Sequence, residues 1–364
     1  MKEQLLKAFP ELGNSGTIKT KDVEAVMQQN GIKKFPLDIL VRMSRGVFAL
    51  KPEYLDIDQV PAAVAAITPK AEVSLIPSVD SNYVAFGNHK DVEQIIKSGI
   101  FYPTYITGPT GNGKSTMVEQ ICAKHKRNLI RVNLNMMSDE DQLIGSKTLN
   151  NGNVEIVEGP VLIAMRTGST LLLDEIDAGS ANTLLCLQPI LEGKPYYFKL
   201  KNETIIPAAG FNIFATANTK GKGSDDGRYI GTNVLNEAFL ERFAVTFEQE
   251  YPSAAVELKI IKNLMETYKC PDDEFADTLV KWADAIRRTF DDGGVDETIT
   301  TRRMTHIVRA FSIFKDKKKA VELCCNRFDQ STKMAFEDLF EKVSNPSPEA
   351  EPVVEEVVPV EVEF

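Results

Sequence analysis

The sequence predicts an α/β fold in which a parallel sheet, covered by helices on both faces, is followed by a helical subdomain. Three observations predict it. Between residues 83 and 250 short β-type runs ("TYITG", "NLIRVN", "TLLLDE", "NIFATAN", "AVTFE") alternate with helical segments, and this alternation sets strands parallel with crossover helices between them. A glycine-rich run, "GPTGNGKST", joins the first of these strands to a helix. From residue 252 to about 343 the pattern is wholly helical, through "SAAVELKIIKNLMETYK", "DEFADTLVKWADAIRRTF" and "TRRMTHIVRAFSIF".

The elements divide the chain into five parts. Residues 1–60 read as a small helical N-terminal unit, with "TKDVEAVMQQNGI" and "FPLDILVRMSRGVF" as its clearest amphipathic segments. This unit carries nine Lys/Arg against eight Asp/Glu, too even a balance to attract phosphates, so docking is expected of it rather than DNA binding. Residues 61–82, rich in Ala and Pro, read as a linker. The α/β core spans 83–251 and the helical lid 252–343. Residues 344–364 hold Pro and Glu in place of any period, the composition of a disordered acidic tail.

The tail also decides how the net charge of −10 is read. Residues 345–364 contain six Glu and no Lys or Arg, so the folded body is only mildly acidic. A nucleic-acid partner, which calls for a basic stripe, is disfavoured. The five cysteines fall at no metal-ligand spacing and the three histidines are scattered singly, so both read as packing or surface residues in a reducing compartment. The sequence has no apolar run of about 18 residues and no targeting pattern at its N-terminus. A cytoplasmic chain with no membrane contact is expected.

The run Gly108, Pro109, Thr110, Gly111, Asn112, Gly113, Lys114, Ser115, Thr116 fits G-x-x-x-x-G-K-[ST], a pattern that chance supplies in about one chain in a hundred of this length. Its glycines let backbone N–H groups wrap a phosphate, and the helix that follows presents its positive end. Lys114 can then reach the β- and γ-phosphates and Ser115 can ligate Mg²⁺, which makes ATP and Mg²⁺ the expected cofactors.

"TLLLDEIDAGS" is an apolar run ending in Asp174 and Glu175. Carboxylates at the tip of a buried strand are costly unless they meet a cation or water. Beside a phosphate loop, Asp174 would hold Mg²⁺ and Glu175 would polarise the attacking water, though two acids before a turn also end strands for purely local reasons. "FNIFATANT" raises the same question, since an apolar strand delivers Asn218 at its end. A turn explains it; so does a neutral amide placed to orient water at the γ-phosphate without adding charge.

"NEAFLERFAVTFEQEYP" puts Arg242 between a short helix and the last strand candidate. It is either a solvated helix-end charge or an arginine finger projecting into a neighbouring subunit's site. "TITTRRMTHIVRAF" opens a helix with Arg302 and Arg303, whose charges oppose the helix dipole unless a phosphate offsets them.

This set of motifs resembles the AAA+ ATPases of the MoxR and CobS group, and most of all the CobS-type AAA+ subunit of aerobic cobaltochelatase. The stretches that carry the resemblance are "GNGKST", "RVNLN", "DEIDAG", "FATANTKGKGSDDGRYIGTNVLNEAFLERF" and "TTRRMTHIVRAFSIFKD", and it runs from roughly Tyr83 to Phe314. It implies an AAA+ P-loop NTPase core with a helical lid. It further implies that Gly108 to Ser115 is Walker A, that Asp174 and Glu175 are Walker B, and that Asn218 is sensor 1. Arg242 would be the arginine finger and Arg302 sensor 2, with Arg303 as the alternative for the last. The group also inserts a hairpin near the second core helix. "LIGSKTLNNGNVEIVEGP", with an Asn-Asn-Gly-Asn centre between β-type flanks, is similar to it.

The resemblance implies an ATP-hydrolysing ring, a homo-hexamer, that drives metal insertion by a separate chelatase with an integrin-like partner chain, or remodels a protein client. Residues 1–60 and the acidic tail fall outside it. An ATP-gated binding scaffold and a nucleic-acid motor share the same core and are the alternatives.

Overall fold

The computed structural model describes residues 5, 7–9, 17–31, 35–36, 39–44, 47–50, 74–150, 153–223 and 231–345. The chain divides into two compact units, 1–73 and 74–364. The linker reading over 61–73, the centre of the Asn-Asn-Gly-Asn turn and the tail beyond 345 lie outside the described residues.

In the first unit β1 (Thr17–Lys19) runs into α1 (Thr20–Gln29), and β2 (Leu40–Ser44) and β3 (Val47–Leu50) complete an antiparallel sheet in the order β1-β3-β2. Helix α1 is the expected amphipathic segment and buries Val23 and Val26. The helix expected over "FPLDILVRMSRGVF" is corrected, because residues 40–44 and 47–50 are strands. Short apolar runs carry too few residues to separate the two periods, and the Val and Phe here suit a pleated sheet once β1 supplies backbone partners. Buried Leu40 beside exposed Val41 shows the two-residue alternation.

The second unit begins with α2 (His89–Ser98), β4 (Thr104–Thr107), α3 (Lys114–Lys124), β5 (Leu129–Asn133) and α4 (Glu140–Leu143). A hairpin of β6 (Gly145–Asn150) and β7 (Asn153–Glu158) leads to α5 (Pro160–Thr167) and β8 (Thr170–Asp174). A 3-10 turn (Ile176–Ala178), α6 (Ala181–Leu185) and α7 (Gln188–Leu191) precede β9 (Tyr196–Phe198) and β10 (Glu203–Ile205). Then come β11 (Asn212–Ala217), α8 (Glu237–Leu240) and β12 (Val245–Glu248).

All five strands read from the sequence form one parallel sheet in the order β12-β4-β11-β8-β5. Every residue of β4, β8 and β11 is buried, whereas β5 and β12 alternate in exposure. Inner strands of a sheet covered on both faces are buried at every position, so their few polar residues, such as Thr216 and Asp174, must find hydrogen-bond partners, whereas the edge strands leave alternate positions to solvent. Tyr105, Leu171, Leu173 and Ile213 face a core shared with Val161, Leu162 and Met165 of α5. Their neighbours Ile106, Leu172 and Phe214 face the opposite core, with Val92 of α2 and Met117 and Val118 of α3. Each such side chain stabilises the fold by about 1.5–3 kcal/mol through burial.

In the β6–β7 hairpin Gly145 pairs with Glu158 and Leu149 with Val154. Leu149 and Val154 are 76% and 64% exposed, so the tip presents an apolar pair to solvent. The β9–β10 hairpin was not legible in the sequence, since strands of three residues carry no period. Glu158 joins the two hairpins: it pairs with Arg166 at 3.0 Å and with Lys201 at 2.7 Å, and Arg166 also meets Glu203 at 2.6 Å.

The lid consists of α9 (Ala254–Thr267), α10 (Asp273–Asp291), α11 (Thr301–Phe314), α12 (Lys317–Cys325) and α13 (Gln330–Ser344). Asp272, Thr300, Asp316 and Asp329 cap the last four, each accepting backbone N–H bonds of the first turn. Trp282 lies fully buried at the centre, its indole N–H donating to the Phe336 carbonyl at 2.8 Å. Among the described residues no helix is long and apolar enough to cross a membrane.

Candidate active site

The register of the sheet sets Ala217 beside Thr107 and Asp174 beside Asn133, so the carboxyl ends of four strands meet at one edge. Ligands of open parallel sheets bind in the crevice outside these ends.

The loop between β4 and α3 depends on glycine. Gly108 has φ +148°, and a Cβ there would stand 1.9 Å from the Gln249 carbonyl oxygen. The loop is held from outside by three bonds: the Asn112 amide donates to the Gln249 carbonyl, the Tyr251 hydroxyl to the Thr110 carbonyl at 2.9 Å, and the Arg302 N–H to the Gly111 carbonyl at 3.2 Å. The phosphate loop is thus gripped by the exit of β12 and by the start of α11.

Lys114 is 7% exposed. Its Nζ donates to the carbonyls of Gly108 and Pro109 at 2.7 and 2.8 Å and to the Asn218 side-chain oxygen at 3.2 Å. Burial pushes its pKa down to about 8, against the pull of the Asp177 and Asp174 carboxylates. A cation satisfied mainly by neutral carbonyls is poised for an anionic ligand.

Asp174, at the end of β8, accepts the Ser115 hydroxyl at 2.6 Å and the Thr216 hydroxyl on one oxygen, and Arg131 on the other. Burial alone would raise its pKa, but the two hydroxyls and the Arg131 charge outweigh it and hold the carboxyl below its ordinary range. Glu175 turns out of the strand at φ +55°, where its N–H meets the Thr216 hydroxyl at 3.3 Å. This left-handed bend costs a non-glycine residue about 1 kcal/mol or more. It leaves Glu175 exposed at a cleft of about 980 Å³ that Gly108, Thr110, Asp177 and Asn218 also line.

Asn218 follows the last residue of β11 and is fixed by Asp177, whose carboxylate accepts the Asn218 and Thr219 N–H groups at 3.0 and 2.9 Å. The sequence-derived residues Gly108–Ser115, Asp174, Glu175 and Asn218 therefore converge. Arg302 lies against the loop through its backbone, its Cβ 3.3 Å from where a Gly111 Cβ would stand. Arg303 instead donates its backbone N–H to the Thr300 hydroxyl at 3.0 Å. Arg242 does not line the cleft; its guanidinium bonds to Glu192 at 2.9 Å and to the Ala238 carbonyl.

A buried relay backs the loop from the lid. Arg287 forms two bonds to Glu257 at 2.9 and 3.0 Å, donates to the Ile299 carbonyl at 2.8 Å, and stacks 4.0 Å over the Tyr251 ring. Because Tyr251 holds Thr110, this tyrosine joins the lid core to the loop in addition to the Arg302 contact on Gly111.

Sequence reading missed Arg131, Thr216, Asp177 and Tyr251. A charged residue in an edge strand, two positions before the residue that faces Asp174, was the available signal for Arg131. The last acid of "DEID" was the signal for Asp177. Neither identifies a partner without the strand register.

A family model described as an AAA domain of the dynein-related subfamily matches residues 103–243. The chain is 31% identical over 207 residues to an uncharacterized protein of Staphylococcus saprophyticus, covering 54% of this chain and 73% of that one. It is 26% identical over 249 residues to the aerobic cobaltochelatase subunit CobS of a Sinorhizobium species, covering 66% and 74%. Among solved structures, the Thermotoga maritima RuvB Holliday junction branch migration motor aligns with a TM-score of 0.43 at 15% identity, over 68% of this chain and 72% of that one. With its parallel sheet, glycine loop and helical lid, the chain belongs to the AAA+ ATPase family, and its core is an AAA domain of the dynein-related subfamily.

Proposed function

We propose that this chain is an ATP-hydrolysing ring motor of the CobS/MoxR type, a homo-hexamer that couples turnover to a separate metal chelatase or to remodelling of a protein partner. The observation that carries the reading is a chain of contacts between the four: Lys114 meets Asn218 at 3.2 Å, its neighbour Ser115 meets Asp174 at 2.6 Å, and Glu175, next to Asp174, lines one cleft with Asn218. Gly108 and Gly111 have positive φ and pack too closely against the Gln249 carbonyl and Thr300 to carry a Cβ, which holds the loop in a tight turn of the kind a phosphate cradle uses. The Ser115 hydroxyl and Asp174 carboxylate are adjacent hard oxygen donors, the set that suits Mg²⁺. When bound there, Mg²⁺ would neutralise charge between the β- and γ-phosphates.

The chain's own residues supply the rest. Lys114 binds the terminal phosphate oxygens in exchange for its loop carbonyls. Glu175 takes a proton from the attacking water, and Asn218 orients that water with its amide. Arg302, on the lid side of the loop, reads the phosphate and turns the lid. Arg242 serves the neighbouring subunit's site, consistent with its place outside its own cleft. The β6–β7 hairpin, with Leu149 and Val154 exposed, contacts the partner.

Phosphate release by the purified protein with ATP and Mg²⁺ tests this, alongside Glu175→Gln. We expect steady turnover in the parent, and ATP binding without turnover in the variant. Binding without turnover in both would replace the motor with the ATP-gated scaffold. Recovery of a chelatase subunit on the ATP-locked variant would identify the partner class.

A further inference from the structure

The 3-10 turn after β8 carries a second acid that the hydrolytic scheme does not use. Asp177 is fully buried. Its Oδ2 accepts three bonds, from the Asn218 N–H at 3.0 Å, the Thr219 N–H at 2.9 Å and the Thr219 hydroxyl at 2.9 Å. From the other side, the Thr219 carbonyl accepts the Tyr105 and Thr107 hydroxyls at 3.1 and 2.9 Å. The segment carrying Asn218 is therefore clamped between the turn and β4, the strand that leads into the phosphate loop.

A capping role alone does not require a carboxylate. The Asp177 Oδ1 is buried and has no hydrogen-bond partner among the described residues. Leaving an acid half satisfied away from water is costly. An amide or hydroxyl could receive the same N–H groups with less desolvation. What a carboxylate adds is the strength of charge-assisted bonds to the tip of β11 and a negative charge beside Lys114, on which Asp177 is the strongest attractive influence. Asp177 also stands two positions after Glu175 and lines the same cleft.

We propose that Asp177 is the positioning residue for Asn218: its carboxylate holds the Asn218–Thr219 backbone so that the Asn218 amide and Glu175 address the same water. This rests on the hydrolytic reading of Asn218 given above. One rigid turn then carries both the proton acceptor, Glu175, and the clamp that aligns its helper.

The test is a double-mutant cycle on the full-length protein, reading kcat, KM, ATP affinity and melting temperature for Asp177→Asn, Asn218→Ala and the pair. Asp177→Asn keeps an acceptor of similar shape and loses the charge. We expect native-like melting, ATP affinity within about threefold of the parent, and kcat lowered on the order of 10- to 100-fold. In the Asn218→Ala background the same change should cost less than about twofold, because the group it acts through is gone. Parent-like kcat in Asp177→Asn, or the same loss in both backgrounds, would overturn the proposal. Unchanged kcat in Asn218→Ala would overturn the hydrolytic reading of Asn218 together with it. Should Asp177→Asn fail to fold, Thr219→Val removes one of the three bonds from the donor side. It should lower kcat at constant KM, with Thr219→Ser restoring it, and equal kcat in Thr219→Val and Thr219→Ser would again overturn the clamp.

Discussion

Lys114 and Asn218, 104 positions apart in the chain, meet at 3.2 Å between the ammonium and the side-chain amide oxygen. The loop that would cradle phosphate and the tip of β11 thus share one point. The contact gives the Asn218 side chain a partner in the loop, which a turn at the end of β11 does not by itself require.

Lys114→Ala removes the cation, its bonds to the Gly108 and Pro109 carbonyls of the loop, and its bond to Asn218. ATP affinity measured by fluorescent-analogue titration should fall at least 100-fold. Glu175→Gln keeps the exposed side chain's shape without its basicity and should bind ATP like the parent with kcat near zero. Equal affinity in Lys114→Ala and the parent would remove the phosphate-loop assignment.

Arg242 is held by Glu192 outside the cleft of its own chain. Arg242→Ala should lose roughly 10³-fold in turnover with nucleotide affinity nearly unchanged. Mixing it with Glu175→Gln under subunit exchange should restore part of the activity, since some interfaces pair an intact pocket with an intact arginine. Mixtures that never exceed the sum of the separate activities would place Arg242 outside any in-trans role.

Replacing residues 147–157 of the hairpin by a short Gly/Ser linker leaves Glu158, which ties the two hairpins through Arg166 and Lys201, in the chain. ATP binding and basal hydrolysis should stay within a few-fold of the parent, while stimulation by a partner disappears. Ring size by light scattering must be checked on the same preparation. Full partner response in the shortened chain would shift attention to residues 1–60.

Glu257 is 1% exposed and bonded twice to Arg287. Arg287→Ala strands that carboxylate in the interior, so denaturant unfolding of the lid should lose about 3–5 kcal/mol. Arg287→Met with Glu257→Gln should recover much of it. A loss under about 1 kcal/mol in the single variant would show that water reaches the pair.

Glu93 of α2 accepts Lys124 and His125 at the end of α3, each at 2.7 Å. These bonds, Lys124 first, lower its pKa to about 2. The folded value lies below the unfolded one, so the stabilisation is complete above about pH 4.5 and is lost as pH falls toward 2. Lys124 is 60% exposed and Glu93 20%, so solvent still screens the cluster and limits the effect to roughly 0.5–1 kcal/mol. Glu93→Gln should therefore lower the melting temperature at neutral pH, and the gap should close as pH approaches 2; a gap independent of pH would mean the carboxylate contributes packing alone.

Local pattern was enough to predict much of this protein. The apolar runs of β4, β8 and β11, the glycine loop with Lys114 and Ser115, the acids ending β8 and the 3.6-residue period of the lid helices are all written in neighbouring residues, because backbone sterics and burial act over a few positions. Where two local periods compete, as over residues 40–50, the prediction failed, and pairing with β1 decided for strands. Only the tertiary structure put Asp177 under Asn218, Arg131 on Asp174, Tyr251 on Thr110, and Arg302 rather than Arg303 against the loop. Each of these contacts joins segments tens of residues apart or more, and which side chains meet there depends on strand order and register, which no short stretch of sequence contains.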